Sequence, residues 1–482
     1  MEKGYSYFQS SNLLVEIFRE SMPIVIAVSL IILYRKRKIN IIEVFIYGIA
    51  TEAYSMIVIG PTFSASLFVS TFFLIDEILQ FFRNRGFNIN KSYLILLLIP
   101  LLVSMIVMLI TIFYKDVFYY PNNNKLVFYT KPIYFYLKTY LPYFAIGAKV
   151  LSDKENCSFK VFFDTLKRTA KFSFIIAFIQ IFVEFVFNND AIGELVGMQF
   201  RYLDMHKNDF FSLRVQALFG EPKLYSAFLS LVIPVFYRDK DYKFVILSVI
   251  IGALTQSQTF WVNILCLIII FGIFKNINFI RVKILLTLAV IVGIFLTISA
   301  TKDYLFNNYL ENQDNPIYEI VAKRAISRYG QGEIIKENEI LGLPLQEDLE
   351  MPVVNFFSDN LWLLPFGYGP GNSTFINPKY FFGQNNYENH AAGIGANNLS
   401  MRWFYVVVEF GLIGFLFYFL ILTRTNKNVS TFENNYFAFV WTCLFFSQID
   451  PIFILVALLA AYGQKHNHVE AMNKNSRFIN GK

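Results

Sequence analysis

This sequence predicts an all-α polytopic membrane protein with about twelve or thirteen transmembrane helices and one large extracytoplasmic loop, on three observations. Of 482 residues, 55% are hydrophobic and only 16% are charged, with 55 Phe, an apolar excess too large for a soluble chain of this length. The apolar residues run in stretches of about 20, the length a helix needs to cross a roughly 30 Å hydrocarbon core, and not in the short alternating segments of a closed barrel. Lys and Arg collect in short loops between these stretches, so the formal net charge of +7 reads as a topology signal. Basic loops are drawn to anionic membrane lipids, and no nucleic-acid partner is expected.

The first predicted span, 12–34, stops at Arg35-Lys36-Arg37-Lys38, which sets that loop in the cytoplasm. Glu2, Glu16, Arg19 and Glu20 argue against a cleavable signal peptide, so this span is expected to stay in the mature protein. Spans 40–60 and 61–82 follow as a hairpin turning at Gly60-Pro61, then 92–114, 132–151, 172–187 and 223–237. Each cytoplasmic return carries Lys or Arg, for example Arg83, Arg85 and Lys91, or Arg238, Lys240 and Lys243. Residues 244–274 divide into two short spans meeting near Thr255-Gln256-Ser257-Gln258, and spans at 282–300 and 400–422 flank the large loop. The last apolar stretch, 433–463, is broken at Asp450-Pro451 and reads as a shallow hairpin. Cys157, Cys266 and Cys443 have no metal-ligand spacing and predict neither disulfide nor zinc.

The chain therefore divides into helices with short loops over 1–300, a large loop over 301–398, C-terminal helices over 399–464 and a cytoplasmic tail over 465–482. Between Thr301 and Ala396 there are twelve Asp/Glu and six Lys/Arg, a formal balance of −6 in a chain that totals +7, which fits an extracytoplasmic location. Aromatic residues and Pro/Gly punctuation predict that this loop forms an ordered cap.

Within the cap, Asn315-Pro316 and Gly330 frame a predicted helix over 316–329. Its spacing sets Arg324 and Arg328 on the same face as Ile317, Ile320 and Val321. A guanidinium on an apolar face needs an anionic partner, and its donor fork suits phosphate oxygens; a protein carboxylate could serve equally well. Arg214, Glu221 and Lys223 bracket a Gly220/Pro222 turn beside a span, where they could hold a charged headgroup or act as interfacial anchors. Phe366-Gly367-Tyr368-Gly369-Pro370-Gly371-Asn372 reads as a tight turn, since no Lys-Ser/Thr follows to make a phosphate loop. His390 is the one histidine of the large loop and its best-placed imidazole for proton transfer. Arg402 and Glu409 stand seven residues apart on one face of a span, where ionisable groups are costly, while Gly411 and Gly414 permit close helix packing. No His/Asp/Glu spacing in this loop suggests a metal site.

Taken in order, Arg214 followed by Leu218-Phe219-Gly220-Glu221-Pro222, a short hairpin tipped by Ser257-Gln258, Gly-Tyr-Gly-Pro-Gly in a large outer loop and Glu-x-Gly-x-x-Gly from Glu409 resemble the O-antigen polymerase and ligase family over roughly 210–415. The resemblance implies a C-type glycosyltransferase-like fold in the bacterial inner membrane. Its implied substrate is a polyprenyl-pyrophosphate-linked oligosaccharide on the outer face, with O-antigen or capsule polymerisation as the reaction and lipopolysaccharide biosynthesis as the setting. Transfer would be metal-independent and without cofactor, because the undecaprenyl pyrophosphate linkage itself supplies activation. The resemblance assigns Arg214 to the pyrophosphate, with Arg324, Arg328 and Arg402 as further candidates, and His390 or Glu221 to activation of the acceptor. A chain-length regulator and a flippase are the expected protein partners.

This sequence departs from the family at two points. Gln258 stands where the hairpin-tip arginine is expected, and Ser400-Met401 stands where the ligase has His-Asn, which leaves His390 ten residues early. Both departures favour a polymerase over a ligase and leave Glu221 or Glu388 as substitute bases. A transporter or flippase of the lipid-linked repeat is the alternative from a different class, and would favour discontinuous helices with charges near the bilayer midplane.

Overall fold

The computed structural model describes residues 13–52, 54–57, 62–84, 86–114, 125–152, 159–183, 214–300, 339–340, 343–344, 350–372, 376–380, 402–423 and 430–446. The architecture is predominantly helical, and among the described residues the only strands form two short antiparallel pairs. Among the described residues, three helical stretches are long and apolar enough to cross a membrane, Ile17–Arg35, Ala65–Asn84 and Lys91–Thr111, while Ile41–Ala50, Tyr242–Leu254, Thr259–Ile273 and Val406–Ile421 are shorter apolar helices.

The first helices are α1 (Leu13–Arg35), α2 (Ile41–Ala50), α3 (Ala65–Asn84) and α4 (Lys91–Tyr114). Next come α5 (Lys125–Phe135), a π-helical turn at Tyr136–Tyr140, α6 (Leu141–Ser152) and α7 (Phe159–Ile181). Then follow α8 (Pro222–Arg238), α9 (Tyr242–Leu254), α10 (Gln258–Ile268, continued by a π-helix to Ile273) and α11 (Ile280–Ala300). The last three are α12 (Glu350–Asp359), α13 (Arg402–Leu422) and α14 (Thr431–Phe446). The chain divides into two compact units: 1–99 with 134–280 and 418–482, and 100–133 with 281–417.

Two expected spans are corrected. The stretch 40–60 does not form a full crossing: α2 has 10 residues, and about 15 Å of helix is half a hydrocarbon core. Asn40 and Glu43 start it with a reciprocal capping box, and Thr51 ends it by donating its hydroxyl to the carbonyls of Tyr47 and Gly48. The chain then pairs Ser55–Ile57 (β1) with Thr62–Ser64 (β2), which satisfies backbone groups that a helix would otherwise satisfy. The second correction concerns 400–422. Within α13, Gly411 adopts φ 70 and ψ −178, so the span is two helical stretches joined by a break.

In the first unit, α3 packs against α1, α2 and α6. Its Glu77 is buried and accepts from Lys149 of α6 and from the Asn88 backbone N–H at 3.0 Å, so this carboxylate is compensated twice. Helix α8 packs against α7, α9 and α10, and Tyr436 of α14 donates to the Leu231 carbonyl at 3.1 Å. From the first half of α7, Arg168 pairs with Glu43 at 3.0 Å and Lys167 with Asp239, joining α7 to α2 and to the end of α8. Burial opposes the Asp239 charge, but hydrogen bonds from Arg238 and Lys167 outweigh it and hold this carboxyl below its usual range.

In the second unit, Phe356 of α12 packs edge-on to Tyr368 at 4.8 Å and to Tyr380 at 5.8 Å. The Tyr380 hydroxyl donates to Asp359 at 2.7 Å. Burial and the neighbouring carboxylate together push it up to about 12.

Candidate functional site

The sequence-predicted residues that fall among the described ones form two centres, one in each unit. The first is the loop from Arg214 to Glu221. Its Val215 N–H donates to the Leu254 carbonyl at 3.2 Å, which ties the loop to the tip between α9 and α10. The Gln180 side-chain carbonyl on α7 accepts from the backbone N–H groups of both Gln216 and Ala217, at 3.2 and 3.0 Å. This double contact accompanies an unusual backbone, since Ala217 has φ 49. Arg214 is half-buried at the head of the loop.

Glu221 is the N-cap of α8, extended at φ −144, and Pro222 takes the first helical position where a missing N–H costs nothing. The Glu221 side chain makes no capping hydrogen bond, and its charge stands at the positive end of the helix dipole. At the hairpin tip, Thr255 closes α9, Gln256 takes φ 50 and Ser257 re-enters extended before Gln258 starts α10. Two short helices and this tip fit the expected hairpin.

Helices α8 and α10 share buried polar residues. Ser226 and Ser230 of α8 are fully buried and donate to the carbonyls of Lys223 and Ser226, each at 2.8 Å. Asn263 of α10 reaches Ser230 Oγ at 3.4 Å. The Asn263 Oδ1 and both amide atoms of buried Gln216 have no hydrogen-bond partner among the described residues.

The second centre is a crossing of two backbones. Tyr368 N–H donates to the Val408 carbonyl at 2.6 Å and Gly369 N–H to the Glu409 carbonyl at 3.2 Å. In the other direction, Leu412 N–H and Ile413 N–H donate to the carbonyls of Leu364 and Pro365 at 2.9 and 3.0 Å. A Cβ on Gly367 would lie 2.5 Å from the Gly411 nitrogen, and one on Gly411 would overlap the Pro365 carbonyl. Only glycine fits at both positions, each of which also has positive φ.

The crossing fixes Glu409. Its side chain is buried, Oε1 accepts from Gly371 N–H at 3.1 Å, its carbonyl accepts from Ser104, and its charge attracts Lys131 of α5. Asn372 is also buried beside it, donating to the Tyr368 carbonyl and to Met108 Sδ at 3.0 Å each. The turn expected at 366–372 is therefore present, and its glycines serve the crossing.

Arg324, Arg328, His390 and Glu388 lie outside the described residues, as does the predicted helix 316–329. Arg402 is the first residue of α13 and shares its first helical stretch with Glu409. Among the described residues no group of three His, Cys, Asp or Glu could hold a metal ion. Sequence reasoning missed Gln180, Asn263 and Lys131, and assigned no role to Gln216 or to Asn372 of the 366–372 turn. For Gln180 and Asn263 the available signal was a carboxamide within an apolar stretch.

No family model, no curated protein and no solved structure matches this chain. The family resemblance therefore rests on the sequence motifs alone.

Proposed function

We propose that the protein is a membrane-embedded polysaccharide polymerase, transferring a growing glycan from polyprenyl pyrophosphate to a lipid-linked repeat on the outer face of a bacterial inner membrane. The observation that carries this reading is the crossing of Gly-Tyr-Gly-Pro-Gly with Glu-x-Gly-x-x-Gly. Two motifs about forty residues apart, singled out for their order in the chain, meet as one hydrogen-bonded element. A second support is the Arg214 loop, folded against the hairpin whose tip belongs to the same motif series.

In this reading Arg214 holds the leaving pyrophosphate, with Arg324, Arg328 and Arg402 as further ligands. Charge grows on the diphosphate as the glycosidic bond breaks, so fixed guanidinium groups stabilise the transition state more than the ground state. Glu221 or His390 takes the proton of the acceptor hydroxyl. Purified protein in lipid vesicles, given the lipid-linked repeat alone, is expected to build a ladder of longer glycans. Arg214→Ala is expected to lower that rate about 100-fold or more, as for loss of one preorganised charge donor. An unchanged ladder in a well-folded variant refutes the assignment, and no ladder from the repeat alone with transfer once lipid A core is added would make the protein a ligase.

One observation favours a second reading. A helix broken at Gly411 beside buried Glu409 is the kind of discontinuity found in transporters, so a flippase of the same lipid-linked repeat is the competing function. Repeats stranded on the cytoplasmic side of cells lacking the protein would decide for it.

A further inference from the structure

We infer that Gln216 and Asn263 form a neutral subsite for sugar hydroxyl groups, and so select the glycan carried by the lipid-linked repeat. The inference rests on the glycosyl-transfer reading and deepens it, since the arginines discriminate diphosphate from other headgroups but say nothing of the sugar.

Gln216 is 0% exposed and Asn263 is 1% exposed. Three of their four side-chain polar atoms have no hydrogen-bond partner among the described residues, and the fourth makes one long contact of 3.4 Å. A buried carboxamide left in this state costs about 1–3 kcal/mol per group, so a purely structural core would carry Leu at either position at less cost. Gln216 is also held from outside, because Gln180 fixes its backbone while leaving its own side chain available. Asn263 lies five residues into α10, about 7.5 Å of helix rise below the tip to which the Gln216 loop is tied.

The chemistry of the ligand follows from the donor set. A carboxamide offers two donors and a two-lone-pair acceptor without charge, which matches hydroxyl groups that both give and receive. Ser226 and Ser230 spend their protons on backbone carbonyls, so their oxygens can only accept, and Ser230 Oγ already takes the long Asn263 contact. A wholly apolar ligand would leave these atoms unsatisfied, and an ion would satisfy only the donors or only the acceptors. A sugar that lacks the matching hydroxyl would do the same, which gives the subsite its selectivity.

The test uses the full-length protein in vesicles with two probes: the purified lipid-linked repeat, and the oligosaccharide released from it by mild acid. Asn263→Leu keeps the branching of the side chain, Gln216→Met keeps its length, and both remove the amides. Both variants are expected to unfold at or above the wild-type temperature, because an unsatisfied buried group has been removed. Each is expected to raise KM for the lipid-linked repeat about tenfold, the effect of one or two lost hydrogen bonds, with kcat within about threefold. The released oligosaccharide is expected to raise the unfolding temperature of the wild type and not of the variants.

An unchanged KM in stable variants overturns the subsite and leaves ordered water as the occupant. Equal stabilisation of wild type and variants by the oligosaccharide overturns it as well. If the wild type does not lengthen glycan at all, the polymerase reading fails by itself. The stabilisation measurement then still decides the subsite, since it needs no turnover.

Discussion

At the scale of single residues, the glycines separate two kinds of position in one chain. Gly293 in α11 has no atom within 4 Å of where a Cβ would stand, whereas Gly411 has positive φ and a neighbouring backbone in the same space. Gly411→Ala is therefore expected to destabilise the protein by about 3 kcal/mol or more, because neither Pro365 nor Gly367 can withdraw without breaking the crossing. Gly293→Ala is expected to be neutral or about 0.5–1 kcal/mol stabilising, since alanine suits a helix interior better. Unfolding of the two variants in the same detergent checks the contrast, and equal stability would mean that the backbone crossing is dispensable. The sequence reveals Gly411 as small but not as constrained, because the constraint comes from Pro365 to Gly371, some forty residues earlier.

Among whole elements, boundaries were legible wherever a local signal sets them. Pro222 and the basic run after Arg238 bound α8 at 222–238, against an expected 223–237, and α11 begins at 280 against 282. The break in α13 was not legible because it is set by Leu364 to Gly367, distant in the chain, and the short α2 was missed although its capping box and strand pair are local signals. The Arg214 loop could be read as a Gly/Pro turn, but its clamp by Gln180 depends on α7 lying alongside, which no local pattern encodes. The ion pair that joins α7 to the end of α8 gives a pH prediction at this scale. Asp239 is held below its ordinary value of 3.8, so its contribution is present above that value and lost as pH falls through the lower folded one. Lys167 is raised above 10.5: burial opposes its charge, but Asp239 and Asp164 outweigh it, so its share is present below 10.5 and lost as pH rises past the folded value. Asp239→Asn is expected to be less stable by about 1 kcal/mol or less between these limits. The gap from wild type should close below pH 3.8, and a gap that persists there would assign the effect to packing.

For the molecule as a whole, the charge distribution makes the strongest claim that sequence and fold share. The loop 301–396 carries a formal −6 while the chain totals +7, and Arg35 and Arg238 stand in the last turns of α1 and α8, with Lys240 and Lys243 following Arg238. If the positive-inside rule governs insertion, those basic ends face the cytoplasm and the acidic loop faces out. A periplasm-dependent phosphatase fused after Glu350 is then expected to be active, and the same reporter fused after Asp239 inactive. The reverse pattern would put the Arg214 loop and the Gly411 crossing on the cytoplasmic side, and an outward-facing polymerase would be excluded whatever its residues. Neutralising Lys240 and Lys243 should weaken retention of the Asp239 end, because orientation depends on the sum of nearby Lys and Arg and falls with each one removed. Rising phosphatase activity at that junction, with the Glu350 fusion unchanged, would trace the orientation of this segment to its own loop charge rather than to the spans on either side.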